Sequence, residues 1–312
     1  MNSALIIGSE GQDGQLLIKF LKEKGYFLAG ASRSDYTRSV ELVEFLSVDL
    51  ARSDLGKLED YIKRQQPNEI YYLAAHHISS QETENFSSDE IEKSVAVNYL
   101  SFLKLLEICH IYSPKSRILY TSSSLIFSGV FDKIQSEDTI TEPRCLYSLN
   151  KVAAMQTATF YREKYKLFTS VAIMYNHESK YRNDYFLSKR IVNQVRAFVK
   201  GDITEITIGN LDSITDWGYA LDYMEAIWQI LQQKQPDTYI VSSGNGHTVK
   251  DWFVVLEDYL QKDLLPHVQE DKMLISRSKP TLIGNNSKLL RIGWKPVNSF
   301  QEMVIKIYNN EL

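Results

Sequence analysis

The stretch Ala4-Leu5-Ile6-Ile7-Gly8-Ser9-Glu10-Gly11-Gln12-Asp13-Gly14-Gln15-Leu16-Leu17 decides how the chain is read. Four apolar residues in a row read as a buried strand that ends on Gly8. Leu16, Leu17, Phe20 and Leu21 then recur at helical spacing, with Lys19, Lys22 and Lys24 on the other face and Gly25 closing the helix. Strand, glycine-rich turn and helix in that order let a backbone approach a pyrophosphate that meets the positive end of the helix. Gly8, Gly11, Gln12, Asp13 and Gly14 are therefore candidate dinucleotide-binding residues, the plain alternative being a glycine turn that holds no ligand.

Outward from this unit the alternation continues. Phe27-Leu28-Ala29, Phe45-Leu46-Ser47-Val48, Ile70-Tyr71-Tyr72-Leu73, Ile118-Leu119-Tyr120 and Val171-Ala172-Ile173-Met174 read as further strands. Helical patterns carrying Leu55, Leu58 and Ile62, and then Val95, Tyr99, Phe102 and Leu106, fall between them. Strands joined by crossover helices predict an α/β fold, a doubly wound parallel (Rossmann) sheet. Past Met174 the rhythm gives way to loops such as Gly209-Asn210-Leu211-Asp212-Ser213, before a helix near 222–232 and a strand at Tyr239-Ile240-Val241 return to the sheet. The expected organisation is a dinucleotide-binding domain over 1–175 with a returning segment at 219–245. A smaller C-terminal substrate lobe is built from 176–218 and 246–312. The site is expected between them, above the carboxyl ends of the strands.

Composition narrows the function classes. Among 312 residues, 35 basic side chains stand against 39 acidic ones, a net charge of -4 with no basic block, which argues against a nucleic-acid partner. No run of 18 apolar residues predicts a membrane span, and the N-terminus lacks the pattern of a signal peptide. Cys109 and Cys145 have no metal-ligand spacing and read as buried structural thiols, so no metal is expected and the expected location is cytoplasmic.

Tyr147-Ser148-Leu149-Asn150-Lys151 places a phenol and an ammonium one helical turn apart on one face, near a helix start just after Pro143. A lysine beside a tyrosine stabilises the phenolate, so the pair can pass a proton at a carbonyl or alcohol while a nicotinamide exchanges hydride. Thr121-Ser122-Ser123-Ser124 ends the preceding strand, where a hydroxyl can bond the same substrate oxygen. Ser32 and Arg33, in Ala31-Ser32-Arg33-Ser34 after the second strand, favour a 2′-phosphate and hence NADP over NAD. Asp35 nearby and solvation of Arg33 keep NAD open. Asp49, with Leu50 beside it after the third strand, is placed to meet the adenine or to cap a helix.

These motifs together resemble the extended short-chain dehydrogenase/reductase family, and within it the GDP-mannose 4,6-dehydratases. The resemblance runs over nearly the whole chain. It rests on Gly8 to Gly14, Leu73-Ala74-Ala75, Val97-Asn98, Tyr147 with Lys151, Asn176-His177-Glu178-Ser179, Leu211-Asp212-Ser213, Asp216-Trp217-Gly218 and Gly293-Trp294-Lys295-Pro296. Pro280-Thr281-Leu282-Ile283-Gly284 also resembles the related GDP-4-keto-6-deoxymannose reductases. The resemblance implies Ser124, Tyr147 and Lys151 as the catalytic set, and Leu73, Ala74 and Ala75 along the cofactor. It implies Asn176, Lys189 and Arg277 toward a GDP-linked sugar, although Asn176 can merely order a loop and Lys189 or Arg277 can be solvated surface charges. It also implies a homodimer or dimer of dimers through helices at 88–110 and 147–164.

Two positions depart from the pattern. Where the dehydratases carry a glutamate two residues beyond the catalytic hydroxyl, this chain has Ile126, and Thr215 stands where they commonly place an arginine. Loss of a general base costs about 10²–10⁴-fold, so the expectation is an NADP(H)-dependent keto-reductase acting at C4 of a GDP-4-keto-6-deoxy-hexose. The alternatives are a 4,6-dehydratase with an unusual base, for which Glu10 or Glu137 would have to reach the site, and a catalytically silent sugar-nucleotide-binding protein.

Overall fold

The computed structural model describes residues 2–52, 54–77, 87–131, 134–271, 274 and 281–312. The chain begins with β1 (Ser3–Ile7), α1 (Gln12–Glu23), β2 (Phe27–Ser32), β3 (Glu44–Ser47), α2 (Gly56–Gln65) and β4 (Glu69–Tyr72). Then follow α3 (Ser88–Val95), α4 (Ser101–Tyr112), β5 (Arg117–Ser123), β6 (Ile134–Gln135), α5 (Leu146–Tyr165), β7 (Thr169–Met174), β8 (Asn176–Glu178) and α6 (Leu187–Lys200). The last third holds β9 (Ile206–Ile208), β10 (Ile214–Tyr219), α7 (Ala220–Leu231), β11 (Thr238–Val241), β12 (Gly246–Thr248), α8 (Val249–Leu260), β13 (Val268–Glu270), β14 (Ile283–Gly284), α9 (Ser287–Arg291) and α10 (Phe300–Asn309).

Seven parallel strands form the main sheet in the order β11-β7-β5-β4-β1-β2-β3. The side-chain period of two sends Leu5 and Ile7 of β1 into the core under α2, α4 and α5, and Ala4 and Ile6 into the core under α1 and α7. The strand order reverses between β4 and β2 on either side of β1, so the glycine turn leaving β1 opens at the crevice where such sheets bind ligands. This is the Rossmann arrangement that strand-helix alternation predicts.

A smaller body packs beside the carboxyl ends of the strands. Its sheets are β12-β10-β8 and β13-β9, and its core joins Ile191, Trp217, Trp252, Phe253, Phe300 and Met303 from α6, β10, α8 and α10. The expected boundary at 246 needs one correction. Leu289 and Trp294 pack into the core under α1 and α7, where the Trp294 indole donates to the Asp222 carbonyl at 2.9 Å. β14 pairs with β6, so residues 283–294 serve the main sheet's half of the molecule.

The helical run 88–112 is continuous, with a π turn at Ala96–Leu100 between α3 and α4. By length and composition alone it could cross a membrane. Half of its apolar window is buried, against α2 and α5, as in the core helix of a folded domain.

Candidate active site

A cleft of about 1720 Å³ runs along the carboxyl ends of β1, β2, β4, β5 and β7 and is closed on the far side by residues 209–215 and 281–282. That exceeds the roughly 300–1,000 Å³ usual for one small ligand. Its lining falls into two sets of residues, or arms, one around the glycine turn and one from residues 176–190 with His77, with Tyr147 also in the lining.

The first arm is built by the glycine turn. Gly8 has φ +96°, a region that favours glycine, and a Cβ there would stand 2.7 Å from the Ala74 nitrogen. A Cβ on Gly14 would come within 2.3 Å of the Gly8 carbonyl oxygen, so the first turn of α1 can close against the loop only without a side chain. Gly11 is the N-cap of α1 and brings no side-chain acceptor, leaving the first-turn N–H groups facing the cleft. Ser32, Arg33, Ser34, Asp49, Leu50, Leu73, Ala74 and Ala75 continue the lining. Asp35 turns away to the Ser47 hydroxyl at 3.3 Å. Asp49 lines the cleft and accepts the Ala51 N–H at 3.1 Å. These residues fit a dinucleotide: an anion cradle at a helix start, then an apolar and hydroxyl-lined trough.

Asp13 has a structural task inside this arm. Its carboxylate meets His177 Nε2 at 3.0 Å, Gln12 donates to the His177 carbonyl at 3.1 Å, and the Ser179 hydroxyl donates to Gln12 at 2.9 Å. Burial pushes the Asp13 carboxyl upward, but the His177 charge and hydrogen bonds outweigh it and hold the acid below its ordinary value. Burial pulls His177 down, and Asp13 more than offsets that, so the imidazole is raised. The pair fastens α1 to β8.

Tyr147 is the second residue of α5 and Lys151 lies one turn on. The Lys151 ammonium is buried, donates to the Thr121 carbonyl at 2.8 Å, and stands 4.7 Å from the Tyr120 ring and 5.5 Å from the Tyr147 ring. Burial lowers it from 10.5 to about 7, partly opposed by Asp13. The Tyr147 phenol is raised by desolvation, with a hydrogen bond from Ser123 pulling the other way. Ser123 thus acts on the Tyr147 phenol, and both Ser123 and Ser124 line the cleft beside it. Ser124 opens a 3-10 turn, and that change of period re-aims the successive hydroxyls.

Other expected residues divide. Asn176 and Thr215 line the cleft. Lys189 does not; it is buried beneath, donates to the Lys180 carbonyl at 3.2 Å, and is lowered by desolvation. Arg277 lies outside the described residues. Cys109 is buried, but Cys145 is half-buried, caps α5 and lines the cleft, so the expectation of a buried thiol fails there. Ile126 is fully buried in the main core. Glu10 holds the Thr37 hydroxyl at 2.7 Å, and Glu137 accepts the Ile240 N–H at 2.9 Å. Neither reaches Tyr147. Sequence reasoning passed over Arg182, Phe186 and His77, which line the second arm. For His77 the signal was its place just past Leu73-Ala74-Ala75, at the carboxyl end of a strand.

Comparison with known proteins places this geometry among relatives. The family model described as GDP-mannose 4,6 dehydratase matches residues 5–307. GDP-mannose 4,6 dehydratase 1 of Arabidopsis thaliana is 32% identical over 326 residues, covering 99% of this chain and 89% of the plant protein. Among solved structures, the UDP-glucose 4-epimerase of Thermus thermophilus in complex with NAD superposes with a TM-score of 0.82 at 21% identity, covering 99% of this chain and 98% of that one. RMD of Pseudomonas aeruginosa complexed with NADPH gives 0.82 at 19% identity, covering 99% of each. The two structures share the fold.

Proposed function

The chain belongs to the GDP-mannose 4,6-dehydratase family, and on that premise we propose that it removes water from a GDP-linked hexose by chemistry that starts at C4. The observation that carries the reading is Tyr147 in the cleft lining, with the Lys151 ammonium 5.5 Å from its ring and Ser123 and Ser124 lining the same cleft. The name of the plant relative favours dehydration over the reduction expected from sequence, and no name among the dehydratase relatives favours reduction.

The turn Gly8 to Gly14 and the start of α1 hold a diphosphate, and Ser32, Arg33 and Ser34 receive a 2′-phosphate, which supports NADP. When bound, a nicotinamide supplies the hydride acceptor and donor. Tyr147 holds the proton of the C4 oxygen, Ser123 orients the phenol, and Lys151 provides positive potential when the phenol gives up its proton. Asn176 lines the arm where the sugar nucleotide enters. Leu149 and Phe160 on α5 and Ile111 on α4 leave apolar surface exposed, which supports pairing of two copies through these helices.

A second reading, reduction at C4 without water loss, is favoured by Ile126, which offers no proton carrier and faces the core. Incubating the chain with NADP and GDP-mannose, and separately with NADPH and GDP-4-keto-6-deoxymannose, separates the two. A product lighter by one water in the first incubation is the expected result. Nicotinamide oxidation in the second, with none of that product in the first, would replace dehydration by reduction.

A further inference from the structure

Water loss across C5 and C6 of a 4-keto sugar needs a group that takes the C5 proton and protonates the departing C6 oxygen. Tyr147 is committed to the C4 oxygen, so a second proton carrier has to stand one or two bonds further along the ring. Among the described cleft residues the carboxylates are engaged elsewhere: Glu10 with Thr37, Asp13 with His177, and Asp49 with the Ala51 N–H. Asp212 lies on the opposite wall, in the 209–215 loop.

His77 is differently placed. Its ring meets the Tyr147 ring edge-on with centroids 4.7 Å apart at 89°, and stacks on Phe186 at 6.1 Å and 26°. It is exposed to the cleft. The backbone that bears it is pinned, since Asn98 donates to the His76 carbonyl at 2.8 Å and accepts the His76 N–H at 2.9 Å. Asn98 sits in the π turn and reaches Ser94, which takes a bond from Asn150 of α5 at 3.0 Å. A π turn of this kind is frequent at functional sites. Here it locks the segment before His77 to the helix that carries Tyr147, fixing the spacing between imidazole and phenol.

We propose that His77 is the proton carrier of the elimination, standing in for the carboxylate that Ile126 replaces; this deepens the dehydratase reading and rests on it. Neutral imidazole accepts the C5 proton. The electrons of the broken C5–H bond form the C5=C6 bond as the C6–O bond breaks, and the imidazolium gives its proton to the leaving hydroxyl, which departs as water. The step is redox-neutral and returns the imidazole to its starting form.

The test uses the full chain with NADP and GDP-mannose, comparing the native protein with His77→Gln and His77→Ala. Water loss is read from product mass, C5–H exchange from NMR in deuterated water, and substrate affinity from calorimetry. Both variants are expected to lose dehydration and C5 exchange together by about 10²–10⁴-fold, with GDP-mannose affinity close to native. Added imidazole restores part of the exchange in His77→Ala. Native-like dehydration and exchange in both variants would overturn the assignment while leaving the dehydratase reading intact. Absence of water loss in the native protein would overturn both.

Discussion

Replacing Lys151 by methionine should make the ligand-free protein more stable at neutral pH, although it removes a residue of the site. The Lys151 side chain is almost wholly buried, and desolvation lowers its ammonium from 10.5 to about 7. In the unfolded chain it binds a proton up to the ordinary lysine range; in the folded chain it releases that proton above about 7. A depressed folded value means the penalty is fully present below pH 7 and is relieved as pH rises toward 10.5. At about 1.4 kcal/mol per pH unit the whole interval amounts to about 5 kcal/mol. Loss of the bond to the Thr121 carbonyl offsets about 1 kcal/mol of the gain. Lys151→Met is therefore expected to gain a few kcal/mol at pH 7, and the gain should shrink by up to about 1.4 kcal/mol per pH unit between pH 8 and 10. Urea unfolding followed by tryptophan fluorescence at several pH values measures the difference, in which contributions from other groups cancel. Parallel stability curves for the two proteins would refute the argument, because a lysine that titrates alike in both states leaves no pH-dependent difference.

Two further outcomes follow from the geometry. Gly14→Ala should destabilise the fold by about 2–4 kcal/mol and weaken nucleotide binding, since its Cβ would press on the Gly8 carbonyl at 2.3 Å; thermal unfolding with and without NADP measures both. Ser123→Ala should lower turnover more than Ser124→Ala, because Ser123 bonds the Tyr147 phenol; steady-state rates of the two variants at saturating substrate decide it.

What the sequence made legible was local. The glycine turn could be read because strand, loop and helix adjoin in the chain, and Tyr147 with Lys151 because four residues make one helical turn. Positions set by a change of period or by tertiary approach were not legible. Ser123 ends β5 and Ser124 opens a 3-10 turn, so the placing of the two hydroxyls beside Tyr147 could not be read from a single period. Lys189 tucks under the second arm because its stem is buried in the face that α6 packs inward. His77 carries no periodic signal at all; it acquires meaning only when α5 brings Tyr147 against its ring. In the fold, the parallel sheet followed from alternation, whereas the return of 283–294 to the main sheet's half depends on Trp294 finding the core beside Leu289 and Tyr223.

That return has a consequence for how the chain is made. Trp294 shares a core with Ala4, Ile6 and Leu16, so one face of the main sheet stays unsealed until residue 294 has emerged from the ribosome. Closing so long a loop adds little to its entropic cost at equilibrium, but contacts of such high sequence separation slow assembly and expose apolar surface meanwhile. A fragment ending near residue 245 would carry every strand of the main sheet and still lack its seal. Synthesis of this protein therefore has a vulnerable interval between residue 245 and the arrival of Trp294 in that core.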